Sequence, residues 1–168
     1  MPGVNSLKGI RQPKLAFPAA ALLVIAADQL SKLWVRSNMA LGESIPDSGF
    51  LRLIHVRNTG AAFGLFEDQT FALTIFGAVG AAAVLYIFFI SDRFSPLAGL
   101  KGKLILGLIL GGTIGNLIDR LSRSYVTDFI DIGIWPTFNI ADSAVVIGTI
   151  ALIFLIIVPA IRDQGSDG

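Results

Sequence analysis

The chain has no cysteine, one histidine at position 55 and little charge. Only 15% of its 168 residues are Asp, Glu, Lys or Arg, against about 25% in an ordinary soluble domain. Without cysteine there is no disulfide framework, thiolate metal site or cysteine nucleophile. A lone histidine excludes His-rich zinc sites and makes any Ser-His-Asp triad depend on His55, which sits in an alternating segment and reads as a surface strand residue. Formal charges nearly cancel, 13 basic against 12 acidic, so no basic surface points to nucleic acid. Three signatures are missing as well: the His-Glu-x-x-His of membrane metalloproteases, the Gly-x-Ser-x-Gly elbow and the phosphate-binding Gly-x-x-x-x-Gly-Lys loop. Ser143, beside Asp142, has no obvious base to activate it. Chemistry therefore rests on carboxylates, amides, hydroxyls, Lys and Arg, with no metal or cofactor expected.

What the chain has in abundance is apolar surface: 54% hydrophobic residues and a mean hydropathy of +0.73. A helix crossing roughly 30 Å of hydrocarbon needs about 20 apolar residues. Phe71–Ile90 offers 20 without a charge and Ser143–Ile161 offers 19. Leu15–Val35 is apolar as far as Ala27 and then carries Asp28 and Lys32. Leu104–Leu121 is uncharged through Ile118 and then meets Asp119 and Arg120. The pattern predicts an all-α integral membrane protein, a four-transmembrane-helix bundle forming one membrane domain over 1–168, with helices at about 15–35, 71–91, 103–122 and 141–161. Gly107, Gly111 and Gly115 fall on one helical face and read as a close helix–helix seam. Phe50–Arg57 alternates between Gly49 and Asn58-Thr59-Gly60, which predicts a small extracytoplasmic β platform between the first and second helices, within 36–70. A second outer segment covers about 123–140, and 162–168 reads as a disordered polar tail. Lys8, Arg11 and Lys14 ahead of an apolar run imitate a secretory signal peptide, but the amphipathic continuation through Leu30, Leu33, Trp34 and Val35 favours a retained helix.

Four spans put both termini on one side. Lys8, Arg11 and Lys14, with Arg93, Lys101 and Lys103 across the short connection of about 92–102 and its border with the third helix, make that side cytoplasmic by the positive-inside rule. Asp28 and Lys32 then lie late in an outward-running helix, as do Asn116, Asp119 and Arg120, while Asp142 opens an inward-running one. Every intramembrane charge converges on one depth, near the outer interface. Charges within spans are costly, face the bundle interior and mark functional sites by default.

Individually these residues allow plain readings. Asp28 and Lys32 stand four apart, acid first, as in a helical ion pair. Asn116, Asp119 and Arg120 share about one turn: either Arg120 snorkels at an interfacial helix end, or it holds a carboxylate, carbonyl or phosphate while Asn116 orients a peptide backbone. Asp142, three residues after Asn139, is explained alone by helix capping. Asp128 stands among apolar neighbours in a membrane-level loop, where burial raises a carboxylate pKa. Two acids sharing a site cannot both ionise easily, so one keeps its proton. Such a pair suffices for peptide hydrolysis without a metal or covalent intermediate.

Five blocks stand in order: Asp28-Gln29-Leu30-Ser31-Lys32, Arg57-Asn58-Thr59-Gly60-Ala61-Ala62-Phe63, Gly111 to Arg120, Val126-Thr127-Asp128-Phe129-Ile130 and Phe138-Asn139-Ile140-Ala141-Asp142-Ser143. With the hydropathy profile they span about 15–160, and the chain resembles bacterial lipoprotein signal peptidase (signal peptidase II). The resemblance implies a membrane aspartyl endopeptidase with Asp128 and Asp142 as catalytic dyad. It implies further that Asn58, Gly60, Asn116, Arg120 and Asn139 contact substrate or support the site, with Asp28, Lys32 and Asp119 as supporting polar residues. The implied substrate is a prolipoprotein whose lipobox cysteine carries diacylglycerol, cut just before that cysteine. Membrane lipids, globomycin-type inhibitors and a monomeric state in the bacterial inner membrane belong to the same implication. Thr127 departs from the family pattern, in which an apolar residue commonly precedes the first acid. A rival, a small four-helix transporter or channel subunit, requires polar residues through the full bilayer depth, and the inner halves of the spans carry almost none beyond Thr74 and Thr149.

Overall fold

The computed structural model describes residues 13–60 and 70–164. Lys8, Arg11, Ala61, Ala62, Phe63 and positions 165–168 of the expected tail lie outside the described residues. The chain runs α1 (Ala16–Asn38), β1 (Ser44–Ile45), β2 (Arg52–Asn58), α2 (Thr70–Ile90), a short α3 (Ser95–Ala98), α4 (Leu100–Arg123), β3 (Val126–Asp131) and α5 (Ile140–Gln164). Four helices, α1, α2, α4 and α5, are long and apolar enough to cross a membrane. Helix α5 continues through Gln164, so the first three residues of the expected disordered tail are helical. The helix does not end where the apolar run ends, because a polar turn propagates it at little cost.

Lipid offers no hydrophobic drive to bring these helices together, so close backbone approach has to supply the packing. Helix α4 is the hub, packing against α1, α5 and α2, and its glycines make that possible. A Cβ on Gly107 would stand 2.6 Å from the Phe17 carbonyl oxygen, and one on Gly111 would stand 2.7 Å from that of Ala21. The stripe read from the sequence is thus the α1–α4 seam; a methyl group there would overpack it at a cost of about 1–3 kcal/mol. Phe17, Ala21, Ala81, Val84, Leu106 and Leu110 form the buried apolar cluster, with Phe17 and Phe88 stacked at 3.9 Å. Large apolar residues such as Leu22, Phe76 and Phe154 face outward, as a lipid-embedded bundle requires. At one end of the bundle Asp92 accepts a hydrogen bond from Lys103 at 2.6 Å and pairs with Lys14 at 3.0 Å.

At the other end lies a three-stranded antiparallel sheet of order β1-β2-β3. Strands β1 and β2 both come from the α1–α2 connection; β2 falls on the alternating stretch, while β1 lies ahead of it, before Gly49. The third strand comes from the α4–α5 connection, which the sequence reading treated as a loop. Its burial leaves all but one residue covered, so no alternation marks it. The β2–β3 register shifts between Leu53 and Val56, the mark of a bulge that re-aims side chains. Within it His55 is buried, 5% exposed, with Nδ1 at 3.0 Å from the Met39 carbonyl oxygen. This corrects the expectation of a surface residue: the end of α1 packs over the sheet, where Val35, Met39 and Phe129 cluster.

Candidate active site

The C-terminal ends of α1 and α4, the N-terminal end of α5 and strand β3 meet at the sheet end of the bundle, and every sequence-derived site residue lies there. Helix α5 opens with a capping box. The Asn139 side-chain Oδ1 accepts the Asp142 backbone N–H at 2.9 Å, and Asp142 Oδ2 accepts the Asn139 N–H at 3.1 Å. The capping reading of Asp142 is therefore right as far as it goes, but the carboxylate also faces a cavity.

That cavity measures about 370 Å³ and is lined by Asn58, Gly60, Asn116, Arg120, Asp128 and Asp142, with Gly77, Thr113 and Val145 extending it between helices and Trp135 to Phe138 forming a wall. Asp128, 2% exposed, accepts from Asn58 Nδ2 at 2.7 Å and from Asn139 Nδ2 at 2.7 Å. Asp142 accepts from Asn116 Nδ2 at 2.7 Å. Asn139, with no exposed surface, thus touches both acids, through its side chain and through its backbone. Burial pushes the Asp128 carboxyl up to about 7, and the nearby Asp142 charge acts the same way, against the hydrogen bonds from Asn58 and Asn139 and the charge of Lys32. The Gly60 N–H donates to Asn58 Oδ1 at 3.0 Å, which leaves the Asn58 amide nitrogen turned to Asp128.

Behind the cavity wall, Asp28, Lys32 and Asp119 are wholly buried. Lys32 Nζ lies 2.8 Å from Asp28 Oδ2 and 3.4 Å from Asp119 Oδ2, and it donates to Asn116 Oδ1 at 2.8 Å. Asn116 Oδ1 also accepts from Asn139 Nδ2 at 3.1 Å, so its polar atoms are engaged within the protein. Arg120 differs: no hydrogen bond or ion pair engages its side chain among the described residues, and it lines the cavity.

The sequence reading missed two features. Arg36 donates to Thr127 Oγ1 at 3.0 Å and lies 3.5 Å from Asp119, which accommodates the polar residue before Asp128. Its place four residues after Lys32 and eight after Asp28, on the same helical face, was the available signal. The Trp135–Phe138 wall had none, since its role comes from the Ile130–Phe138 bridge folding that loop against the site. Among the described residues no group of three or more His, Cys, Asp or Glu side chains gathers in metal-binding geometry.

Fold and site together define a small polytopic membrane protein with paired carboxylates in a cavity at one end of its bundle. A family profile described as Signal peptidase (SPase) II matches residues 20–158. A lipoprotein signal peptidase of Dehalococcoides mccartyi is 46% identical over 144 residues, 86% of this chain and 90% of its own length. That of Moorella thermoacetica is 45% identical over 154 residues, covering 91% and 99%. That of Bacillus subtilis is 42% identical over 152 residues, covering 87% and 93%. A solved structure described as a bacterial membrane enzyme superposes with a TM-score of 0.73 at 30% identity, covering 89% of this chain and 90% of that one. The chain belongs to the signal peptidase II family of lipoprotein signal peptidases, and is a membrane peptidase.

Proposed function

We propose that Asp128 and Asp142 are a catalytic dyad that hydrolyses the peptide bond just before a diacylglyceryl-modified cysteine in prolipoproteins. One observation carries this reading: both carboxyl groups line the same cavity and are tied together by Asn139. A carboxyl held near 7 keeps one proton available to the pair, which titrates as a unit.

The chemistry follows from that shared proton. Water lies between the acids. Asp142 takes a proton from it as its oxygen bonds to the carbonyl carbon, and Asp128 gives its proton to the carbonyl oxygen. The resulting gem-diol collapses as the C–N bond breaks. The leaving nitrogen takes the proton from Asp142, a diol hydroxyl returns one to Asp128, and the dyad is regenerated. Arg120, whose side chain makes no hydrogen bond or ion pair among the described residues, holds a substrate carbonyl, while Asn58, Gly60, Asn116 and Asn139 support the acids and the backbone path. Asp28, Lys32 and Asp119 belong to the supporting polar network. The apolar helix faces around the cavity suit a substrate that carries its own lipid and reaches the site from the bilayer.

The positive-inside pattern supports cytoplasmic termini and a site at the extracytoplasmic face of the bacterial inner membrane, in a protein that works as a monomer. The test is to incubate purified protein with a diacylglyceryl-modified lipobox peptide and with its unmodified counterpart. Cleavage of the lipidated form alone, before the cysteine, is the expected result. Equal cleavage of both forms, or none of either, rejects the reading.

A further inference from the structure

Lys32 has no exposed surface and does not line the cavity, yet each of its three contacts leads by a single further bond either to one of the two acids or to the residue just before it. An ammonium offers three donors and no acceptor. The first goes to Asp28 Oδ2 at 2.8 Å, and the other oxygen of Asp28 accepts the backbone N–H of Ala141, the residue before Asp142, at 3.0 Å. A second contact is with Asp119 Oδ2 at 3.4 Å, an oxygen that also accepts the backbone N–H of Thr127, the residue before Asp128, at 3.0 Å. The third donor faces Asn116 Oδ1 at 2.8 Å. That oxygen meets two donors, Lys32 Nζ at the shorter distance and Asn139 Nδ2 at 3.1 Å, so the amide nitrogen turns the other way, to Asp142 Oδ1 at 2.7 Å.

We propose that Lys32 is a positioning residue for the reaction: it clamps the backbone immediately ahead of each acid, so fixing the separation of the two carboxylates, and it orients the Asn116 amide toward Asp142. The proposal rests on the reading of Asp128 and Asp142 as the reacting pair. A buried ion pair that merely neutralised Asp28 would be complete with one contact. Asp119 does not need Lys32 either, since Arg36 lies 3.5 Å and Arg123 3.8 Å from it. Nor does stability account for the arrangement, because buried ion pairs add little over apolar replacements.

Two variants test it. Lys32→Met leaves Asp28 without its cation and melts below the wild type. Asp28→Asn combined with Lys32→Met removes both charges and leaves an acceptor for the Ala141 N–H, so melting recovers. Turnover of the lipidated peptide by this double variant stays down by about 100-fold, the scale of one lost preorganised donor, with KM changed less than about threefold. In Lys32→Met, assayed below its melting transition, the ascending limb of kcat/KM moves to higher pH. The cation no longer favours an ionised carboxylate, while Asp142, Asp128 and Arg120 remain in place. A double variant that regains melting and turnover together overturns the proposal, as does an unmoved limb in the single one. Should the double variant stay unstable, the limb decides. If wild-type protein fails to cleave the lipidated peptide, the reading of the dyad falls, whatever the Lys32 variants do.

Discussion

Asn139 and Asp142 bond to each other twice, side chain to backbone in both directions, at 2.9 and 3.1 Å. The capping box fixes the Asp142 carboxylate before any substrate arrives, and the remaining Asn139 amide donor reaches Asp128 at 2.7 Å. One residue therefore does two separable jobs. Asn139→Ala loses the cap, about 1 kcal/mol of stability, and lowers turnover by about 10²–10³-fold. Asn139→Ser restores a capping oxygen but not the donor to Asp128. Its melting temperature in detergent returns toward wild type while its turnover stays low. Normal turnover by the serine variant would remove Asn139 from the machinery.

Asp128 makes folding stability depend on pH in a stated direction. Its folded carboxyl sits at about 7 against 3.8 when unperturbed, so the folded state binds the proton more tightly than the unfolded chain does. The stabilisation is complete below pH 3.8, declines as the pH rises and is lost above about 7; each unit of difference is worth about 1.4 kcal/mol. Melting temperature of the wild type should fall between pH 5 and 8, and that of Asp128→Asn should fall less. Both Asp128→Asn and Asp142→Asn should remain folded and lack detectable cleavage. Parallel melting curves for wild type and Asp128→Asn would show that the carboxyl is not held in its protonated form.

Much of this was legible in the sequence for a physical reason: a bilayer imposes a length and polarity rule that a globular fold does not. The four spans, the Gly107–Gly111 seam and the gathering of Asp28, Asn116, Arg120 and Asp142 at one depth all follow from that rule. What escaped reading was set by contacts rather than pattern. Strand β3 is covered on both faces and shows no alternation, and His55 is turned inward by a bulge with no local signature. Arg36 looked like a flanking charge until the fold brought Thr127 to it at 3.0 Å. Asp128 was recognisable as an acid in apolar surroundings, but its link to Asp142 through Asn139 depends on how the α4–α5 connection folds back.

Arg120 offers a clean separation of binding from folding. Its side chain has no hydrogen-bond or ion-pair partner among the described residues, so truncation breaks no bond that holds the fold. Arg120→Ala should melt within a few degrees of wild type. A hydrogen bond to a charged group contributes about 1.5–3 kcal/mol, which at about 1.4 kcal/mol per tenfold predicts a fall in kcat/KM of about 10- to 100-fold. Most of that loss should appear in KM if the guanidinium holds a carbonyl away from the scissile bond. A large drop in melting temperature with unchanged kcat/KM on the folded fraction would make Arg120 a structural residue instead.

The absence of cysteine makes the proposed orientation directly measurable, because any introduced thiol is the chain's only one. Asp47 and Ser48 lie exposed in the connection between β1 and β2, and Lys101 lies exposed at the opposite end of the bundle, in the first turn of α4. With the site on the extracytoplasmic face, a membrane-impermeant maleimide added to intact spheroplasts labels Ser48→Cys and leaves Lys101→Cys unlabelled until the membrane is permeabilised. Both substitutions sit outside the cavity, so cleavage of the lipidated peptide serves as the check that each variant is folded. The inverse labelling pattern would put the acids at the cytoplasmic interface. That outcome would overturn the proposed orientation, in which the termini are cytoplasmic and the acids face the other side.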